Sequence, residues 1–403
     1  MTNRVSRRTA LDRTIGTRAT LLEEGVTNQV PPAEVTDRVL TEAIVASADV
    51  PPHDRATMDG YAFAAADGYP LRVVGDIGAE GEPPKIETGE AIRIATGASL
   101  PDRADAVLER ERAELEEENG ETTLSGPSVE PGRNVFRRGT TAKRDETLFS
   151  AGDRLTPPDS GLLADIGVAD VPVREPFSVR ILGTGTELVE GRQPDRDSPM
   201  LANLVASWGH ERQVVAPVPD EPDAVRDTIA EHAAASDVLL TSGGTGGGAR
   251  DHVRSALADL GEIVVDGIDA RPGSHVRVAT LPDHDAVAVA LPGKPVAAFL
   301  SAISVCRALL TAETAEPTER ARLGCDLAVP DREAEFVVPV EHRGDELVPL
   351  GHADSSVPIY GERFSPRILA DCARVLEMDG YLRVRESLDV GETVRFVPME
   401  VVT

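Results

Sequence analysis

Two segments of the chain, SGGTGGGARD (Ser242 to Asp251) and ALPGKPVAAF (Ala290 to Phe299), each join an apolar run to a helical pattern. A strand-to-helix junction exposes the first N–H groups of its helix, together with about half a positive charge, so phosphates and oxyanions settle there. Both junctions lie where strand-like runs at 178–182, 213–217, 237–241, 262–266 and 286–291 alternate with helical patterns near 200–208, 221–235, 251–260 and 296–311. Alternation of this kind predicts a mostly parallel sheet covered on both faces. Ligands of such sheets bind beyond the carboxyl ends of the strands, where both junctions fall.

The remainder of the 403 residues divides around that α/β stretch. Residues 9–24 and 31–47 read as helices, the second apolar at Val35, Val39, Leu40, Ile44 and Val45. From about 53 to 140 short strand-like runs (Leu71–Val74, Ala91–Ile94, Ala106–Leu108) are broken by Gly and Pro, and the acidic stretch Glu109 to Glu121 reads as a solvated hairpin arm. Residues 157–169 are helical again, so the first and third segments are expected to pack together around a β-rich insertion. The expected organisation is α/β and multidomain. A helical and linker domain comprises 1–48 plus 143–175, a β-rich insertion 49–142, the α/β domain 176–318, and a small β-barrel or sandwich 319–403.

Charge narrows the function classes. Sixty-nine acidic residues oppose 41 basic ones, a net charge of −28, and only Lys85, Lys143 and Lys294 are lysines. Excess carboxylate with scarce lysine suits a halophilic cytosol, and it excludes the basic face of a nucleic-acid protein. Cys306, Cys325 and Cys372 show no CxxC spacing, which predicts neither a disulfide framework nor a zinc site and fits a reducing cytoplasm. Arg7-Arg8 is followed by the polar stretch Thr9 to Glu24, so no export signal is expected, and nothing reaches the length of a membrane span.

Several residues of the two junctions and their surroundings carry chemistry. Gly243, Gly244, Gly246, Gly247 and Gly248 let backbone N–H groups approach a ligand, although a flexible turn would use them equally well. Asp251 is an N-cap by position, and a carboxylate beside a phosphate cradle can also hold a bridging divalent cation. In LPGKP, Pro295 suits the first helical turn and Lys294 is either aimed at an oxyanion or simply an exposed loop lysine. Glu187 in GTGTEL falls on the same rim, and Asp59 precedes Gly60 in an expected tight turn.

Taken in order, MDGYA at 58–62, RIATGASLPDRADAV at 93–107, GRNVFRRG at 132–139, TGTELVEG, the SGG loop, LPGKP and FSPRILADC resemble the molybdopterin molybdenumtransferases, the MoeA family that includes the E domain of gephyrin. The resemblance covers roughly residues 8–400. It implies a central MogA-like three-layer α/β domain in an elongated homodimer of four-domain subunits. The implied reaction inserts molybdate, or tungstate, into adenylylated molybdopterin with Mg²⁺ and loss of AMP, in a cleft between the α/β domain of one subunit and the N-terminal segments of the other. By resemblance, Asp59, Thr96, Glu187 and Asp251 become catalytic candidates, with Asp59 and Asp251 near the metal. Ser242, Gly243, Gly244, Gly246, Asp195, Pro292, Gly293, Lys294, Pro295, Arg271, Ser365 and Arg367 become substrate-binding candidates. Molybdopterin, molybdate and other enzymes of cofactor biosynthesis are the implied partners.

The chain departs from the family pattern at defined places. SGGVSxG reads SGGTGGG, KPGKP reads RPGSH at Arg271 to His275, the GED after the RRxG run reads Gly139-Thr140-Thr141, and the GDEL aspartate is Thr186. Two readings therefore stand: the Mg²⁺-dependent transferase, or a paralogue that binds molybdopterin, molybdate or a partner enzyme without turnover.

Overall fold

The computed structural model describes residues 4–21, 27–245 and 251–403. The chain separates into two compact units, Thr27–Arg174 and Met1–Val26 with Glu175–Thr403.

The first unit is built on a six-stranded sheet in the order Ala106–Glu109, Gly60–Phe63, Glu90–Ile94, Leu71–Ile77, Glu121–Ser125, Glu114–Glu118. Successive side chains alternate faces: Tyr61 and Phe63 pack with Leu71, Leu108 and Leu124, while Ala62 packs on the opposite side with Ile92, Ile94 and Val107. The acidic arm is a hairpin whose outer strand, Glu114–Glu118, is exposed throughout. A row of carboxylates on an edge strand deters pairing with another chain.

The helix expected at 31–47 is not formed. After a short 3-10 turn at Pro32–Glu34, Asp37 adopts a left-handed φ of 63°, and the chain continues as isolated bridges and the strand Ile44–Val45. Val35, Leu40 and Ile44 bury against Leu155, Leu163, Val171 and Val173. The β-branched residues of this segment satisfy their backbone by pairing with 147–174, so tertiary contacts override the helical spacing. The helix Pro157–Asp165 does form, with Thr156 and Asp159 in a capping box.

The second unit contains the α/β layer. Its sheet runs Glu211–Val214, Ser178–Gly183, Val238–Ser242, Ala286–Leu291, Arg277–Leu281, Glu262–Asp266. The first four strands are parallel, and Arg277–Leu281 runs antiparallel to both of its neighbours. Arg277–Leu281 is a strand the sequence pattern missed, because RVATL is too short to signal a period. Helices Asp197–Ser207, Pro222–Ala233 and His252–Leu260 connect the strands, and apolar clusters fill both faces. The helix Arg7–Leu21 docks here rather than with residues 27–48. Its buried Arg18 donates to the carbonyls of Leu309 (2.6 Å) and Leu310 (3.0 Å), and Arg13 donates to that of Val264 (2.9 Å).

Beyond the α/β layer, Glu319–Leu323, Glu335–Arg343, Glu346–Pro349, Gly380–Val384 and Thr393–Pro398 close into a five-stranded barrel. A sixth short strand, Ala270–Arg271, adds in parallel to Glu335 and Phe336 and carries Arg271 onto the barrel's flank.

One ionic group in the first unit should be visible in its acid stability. Buried Glu109 accepts from Arg133 at 2.7 Å with Arg112 at 3.6 Å, and hydrogen bonds from Arg133 first, then from its own amide and Asn134, lower its pKa from 4.5 to about 2. A carboxylate depressed in the folded state stabilises fully above its unfolded value and loses that contribution as pH falls through the folded one. Acid titration of the wild type should therefore show a loss of stability between 4.5 and about 2 that Glu109→Gln reduces. Identical acid limbs would exclude Glu109 as a contributor.

Candidate active site at the rim of the parallel sheet

Three parallel strands end in register, with Gly183, Ser242 and Leu291 side by side. Thr184 N–H donates to Ser242 O (2.9 Å) and Gly243 N–H to Leu291 O (3.2 Å), so the exiting loops begin pinned to one another. Gly243 (φ 96°) and Gly244 (φ 63°) adopt conformations side chains rarely hold. A Cβ at Gly243 would lie 2.5 Å from Thr184 O, and one at Gly293 would lie 2.8 Å from Gly243 Cα. The SGG and LPGK loops thus face the same rim and touch there.

They border a cleft of about 970 Å³ lined by Thr184, Glu187, Asp195, Asp197, Asp220, Ser242–Thr245, His275 and Pro292–Pro295 among others. Expected site residues Glu187, Asp195, Ser242, Gly243, Gly244, Pro292, Gly293, Lys294 and Pro295 all lie on it. Gly246 lies outside the described residues. Asp195 caps the helix Asp197–Ser207, its Oδ1 accepting from the amides of Asp197 (3.1 Å) and Ser198 (3.0 Å). Asp197, which sequence reasoning passed over, is buried and accepts from Ser242 Oγ at 2.5 Å. Burial raises its pKa despite that bond, and neighbouring Asp195 adds to the rise.

A second cavity of about 930 Å³ adjoins the first, sharing His275, Pro292 and Lys294. Arg271, Arg332, Arg363 and Arg367 line it with Ser365, and Asp331 is its one lining acid among the described residues. Burial pushes the Arg271 pKa down, with repulsion from Arg4 and Arg332 adding to it. Burial likewise lowers the pKa of His275, helped by Arg4 and Arg277, which keeps the imidazole neutral at neutral pH. Lys294 stands between the cavities, bonded to Asp371 (2.6 Å) and to the carbonyl of Arg367 (3.4 Å). Such a half-exposed pair is worth about 0–1 kcal/mol, so an arriving anion can replace it. Arg363 lies two residues from Ser365 in ERFSPR and was legible there; Arg332 offered no sequence signal.

Asp251 is placed differently from a free metal ligand. It caps the helix His252–Leu260 by accepting from Arg254 N–H at 3.1 Å, and its other oxygen accepts from Arg277 Nη2 at 2.7 Å. Both partners of that ion pair are buried, and Arg277 also donates to Asp266 (2.9 Å), which Arg254 holds in turn (2.8 Å). Asp59 and Thr96 belong to the other unit. The antiparallel partnership of Gly60 with Ile94 brings them together, and Asp59 Oδ1 accepts from both N–H and Oγ1 of Thr96 at 2.8 Å. Those bonds lower the Asp59 pKa, with Arg110 and Arg93 contributing.

Removing Arg277 would leave buried Asp251 without its ion-pair partner and Asp266 with Arg254 alone, and breaking a buried pair costs about 3–5 kcal/mol. Arg277→Met should lower Tm accordingly, and adding Asp251→Asn should restore part of the loss. A thermal melt of Arg277→Met matching the wild type would show that the pair does not hold the start of the helix.

Comparison with known proteins follows this geometry. Residues 5–167 match the MoeA N-terminal region (domain I and II), and residues 180–312 match a family described as "Probable molybdopterin binding domain". A molybdopterin molybdenumtransferase of Synechococcus elongatus is 32% identical over 305 residues, covering 70% of this chain and 75% of its own. That of Bacillus subtilis is 32% identical over 297 residues, covering 69% and 68%. The crystal structure of a molybdopterin biosynthesis MoeA protein from Pyrococcus horikoshii superposes with a TM-score of 0.76 at 26% identity, covering 98% of this chain and 99% of that one. Among the described residues no helix is long and apolar enough to cross a membrane. By these matches the chain belongs to the molybdopterin molybdenumtransferase (MoeA) family.

Proposed function

We propose that the protein is a transferase of molybdenum cofactor biosynthesis that inserts molybdate, or tungstate, into adenylylated molybdopterin and releases AMP. The observation that carries this reading is the pair of adjoining cavities joined at Lys294 and His275. The reaction needs two anions side by side, one bearing a diphosphate and one a compact oxyanion. The N–H groups of Gly244 and Thr245 and the helix N-terminus behind Pro295 would take the diphosphate. Arg271, Arg332, Arg363, Arg367 and Ser365 would take the oxyanion, where planar guanidinium forks suit its oxygens. Lys294, released from Asp371, would neutralise charge between them. Neutral His275 can accept or donate a hydrogen bond there without adding charge.

Mg²⁺ fits this set in one form. No three carboxylates converge on the cleft among the described residues, and Asp251 is already occupied by Arg277 and the Arg254 amide. Magnesium more often rests on one or two carboxylates plus substrate phosphates and waters, which Glu187 or Asp220 on the rim and Asp59 can supply. When bound, the ion would offset phosphate charge and polarise the bond to be broken. The reading takes the protein as a homodimer, with Asp59 and Thr96 of one copy completing the cleft of the other. Thr96 orients Asp59 through its two bonds, which keeps the carboxylate ionised.

The test is conversion of adenylylated molybdopterin to metallated cofactor at high salt, read as AMP release. Arg367→Ala should raise the KM for molybdate about tenfold or more, consistent with loss of one charge-assisted contact, while Tm stays near wild type. Ligand binding without AMP release by the wild type would support a binding paralogue instead.

A further inference from the structure

Outside the rim, one group of side chains meets the requirements of a soft cation. Cys325 follows the barrel strand Glu319–Leu323, and His352 and Asp354 follow the neighbouring strand Glu346–Pro349. Those strands are parallel, with Leu323 opposite Leu347, so both turns leave the barrel at one end. One ligand atom from each of Cys325, His352 and Asp354 lies within 4.8 Å of the other two. Among the described residues no other three His, Cys, Asp or Glu side chains gather so closely. His352 is 4% exposed and Cys325 7%. His352 Nδ1 accepts the amide of Asp354 at 3.1 Å, which leaves the ring proton on Nε2. Nε2 is buried and has no hydrogen-bond partner among the described residues. That N–H needs only an acceptor or a water, whereas the ring's lone pair, which a cation requires, is on Nδ1, 3.4 Å from Asp354 Oδ2.

We propose that Cys325, His352 and Asp354 form a binding site for a divalent cation of the zinc class. A thiolate, an imidazole and a carboxylate are the donors zinc prefers, whereas magnesium and calcium seek oxygen alone. Asp354 is exposed, so water can fill the fourth position. Cys325 binds as the thiolate and its proton passes to solvent.

The ion braces the arginine cavity. His352 packs edge-on against Tyr360 (6.4 Å between centroids), Tyr360 against Phe364 (5.6 Å), and Phe364 against Phe336 (6.1 Å). Tyr360 is also bonded to the Gly351 and Leu350 carbonyls (2.7 and 2.9 Å). Phe336 and Phe364 line the arginine cavity, and Ser365 and Arg367 follow Phe364 directly. Clamping His352 to Cys325 therefore fixes the base of the segment that presents those residues. The site rests on no assumption about the substrate.

The experiment uses the full-length protein, stripped with a chelator and titrated with Co²⁺ at high salt without substrate. The expected result is one Co²⁺ per chain, a near-ultraviolet thiolate-to-cobalt band displaced by Zn²⁺, and a rise in Tm. Cys325→Ser should abolish the band, while Cys372→Ser, which alters the more exposed thiol, should retain it. His352→Gln serves as the second variant should Cys325→Ser fail to fold, and it should weaken Co²⁺ binding about tenfold or more. Absence of the band in the wild type, or its persistence in either folded site variant at unchanged affinity, overturns the proposal.

Discussion

The common end point of three parallel strands governs the chemistry of this molecule. Because Gly183, Ser242 and Leu291 stand in one row, the loops that leave them share a starting line and a direction. The loops are then forced into contact, with Gly293 directly against Gly243 and Gly243 against Thr184. No side chain fits at these approaches, so backbone forms the surface there. The helix beginning at Pro295 adds its positive end to the same place.

Electrostatics divides the surrounding charges into two kinds. The alternating set Arg254, Asp266, Arg277 and Asp251 is internally compensated and partly buried. Burial of ions is costly, so such a set is retained less for stability than for fixing the start of the helix behind the glycine loop. The arginines of the second cavity are the opposite case. In a chain of net charge −28, Arg271, Arg332, Arg363 and Arg367 line one space with a single acid among the described residues there. Strong carboxylate excess elsewhere makes that local reversal of sign the more selective for an anion.

The differences between sequence pattern and structure have physical causes. Segment 31–47 carried helical spacing, yet its β-branched residues found backbone partners in 147–174, and a left-handed Asp37 interrupts any helix. The alternation after Phe177 was robust because each apolar run is flanked by its own helix, so local and tertiary preferences agree. Arg277–Leu281 was invisible since a five-residue strand with a buried arginine at its head has no period of its own. Asp59 and Thr96 were singled out separately by family resemblance, and strand register supplies the reason they meet.

By itself the sequence determined the alternating α/β core, the two glycine- and proline-shaped junctions and the acidic surface, because each is encoded in spacing and residue type over a few neighbours. Only the tertiary structure decided which charges are free. It turned Asp251 inward to a guanidinium 26 residues away, gathered arginines from three separate segments around one cavity, and set Cys325 beside His352 and Asp354. Such encounters depend on strand order and register, which short-range patterns do not carry.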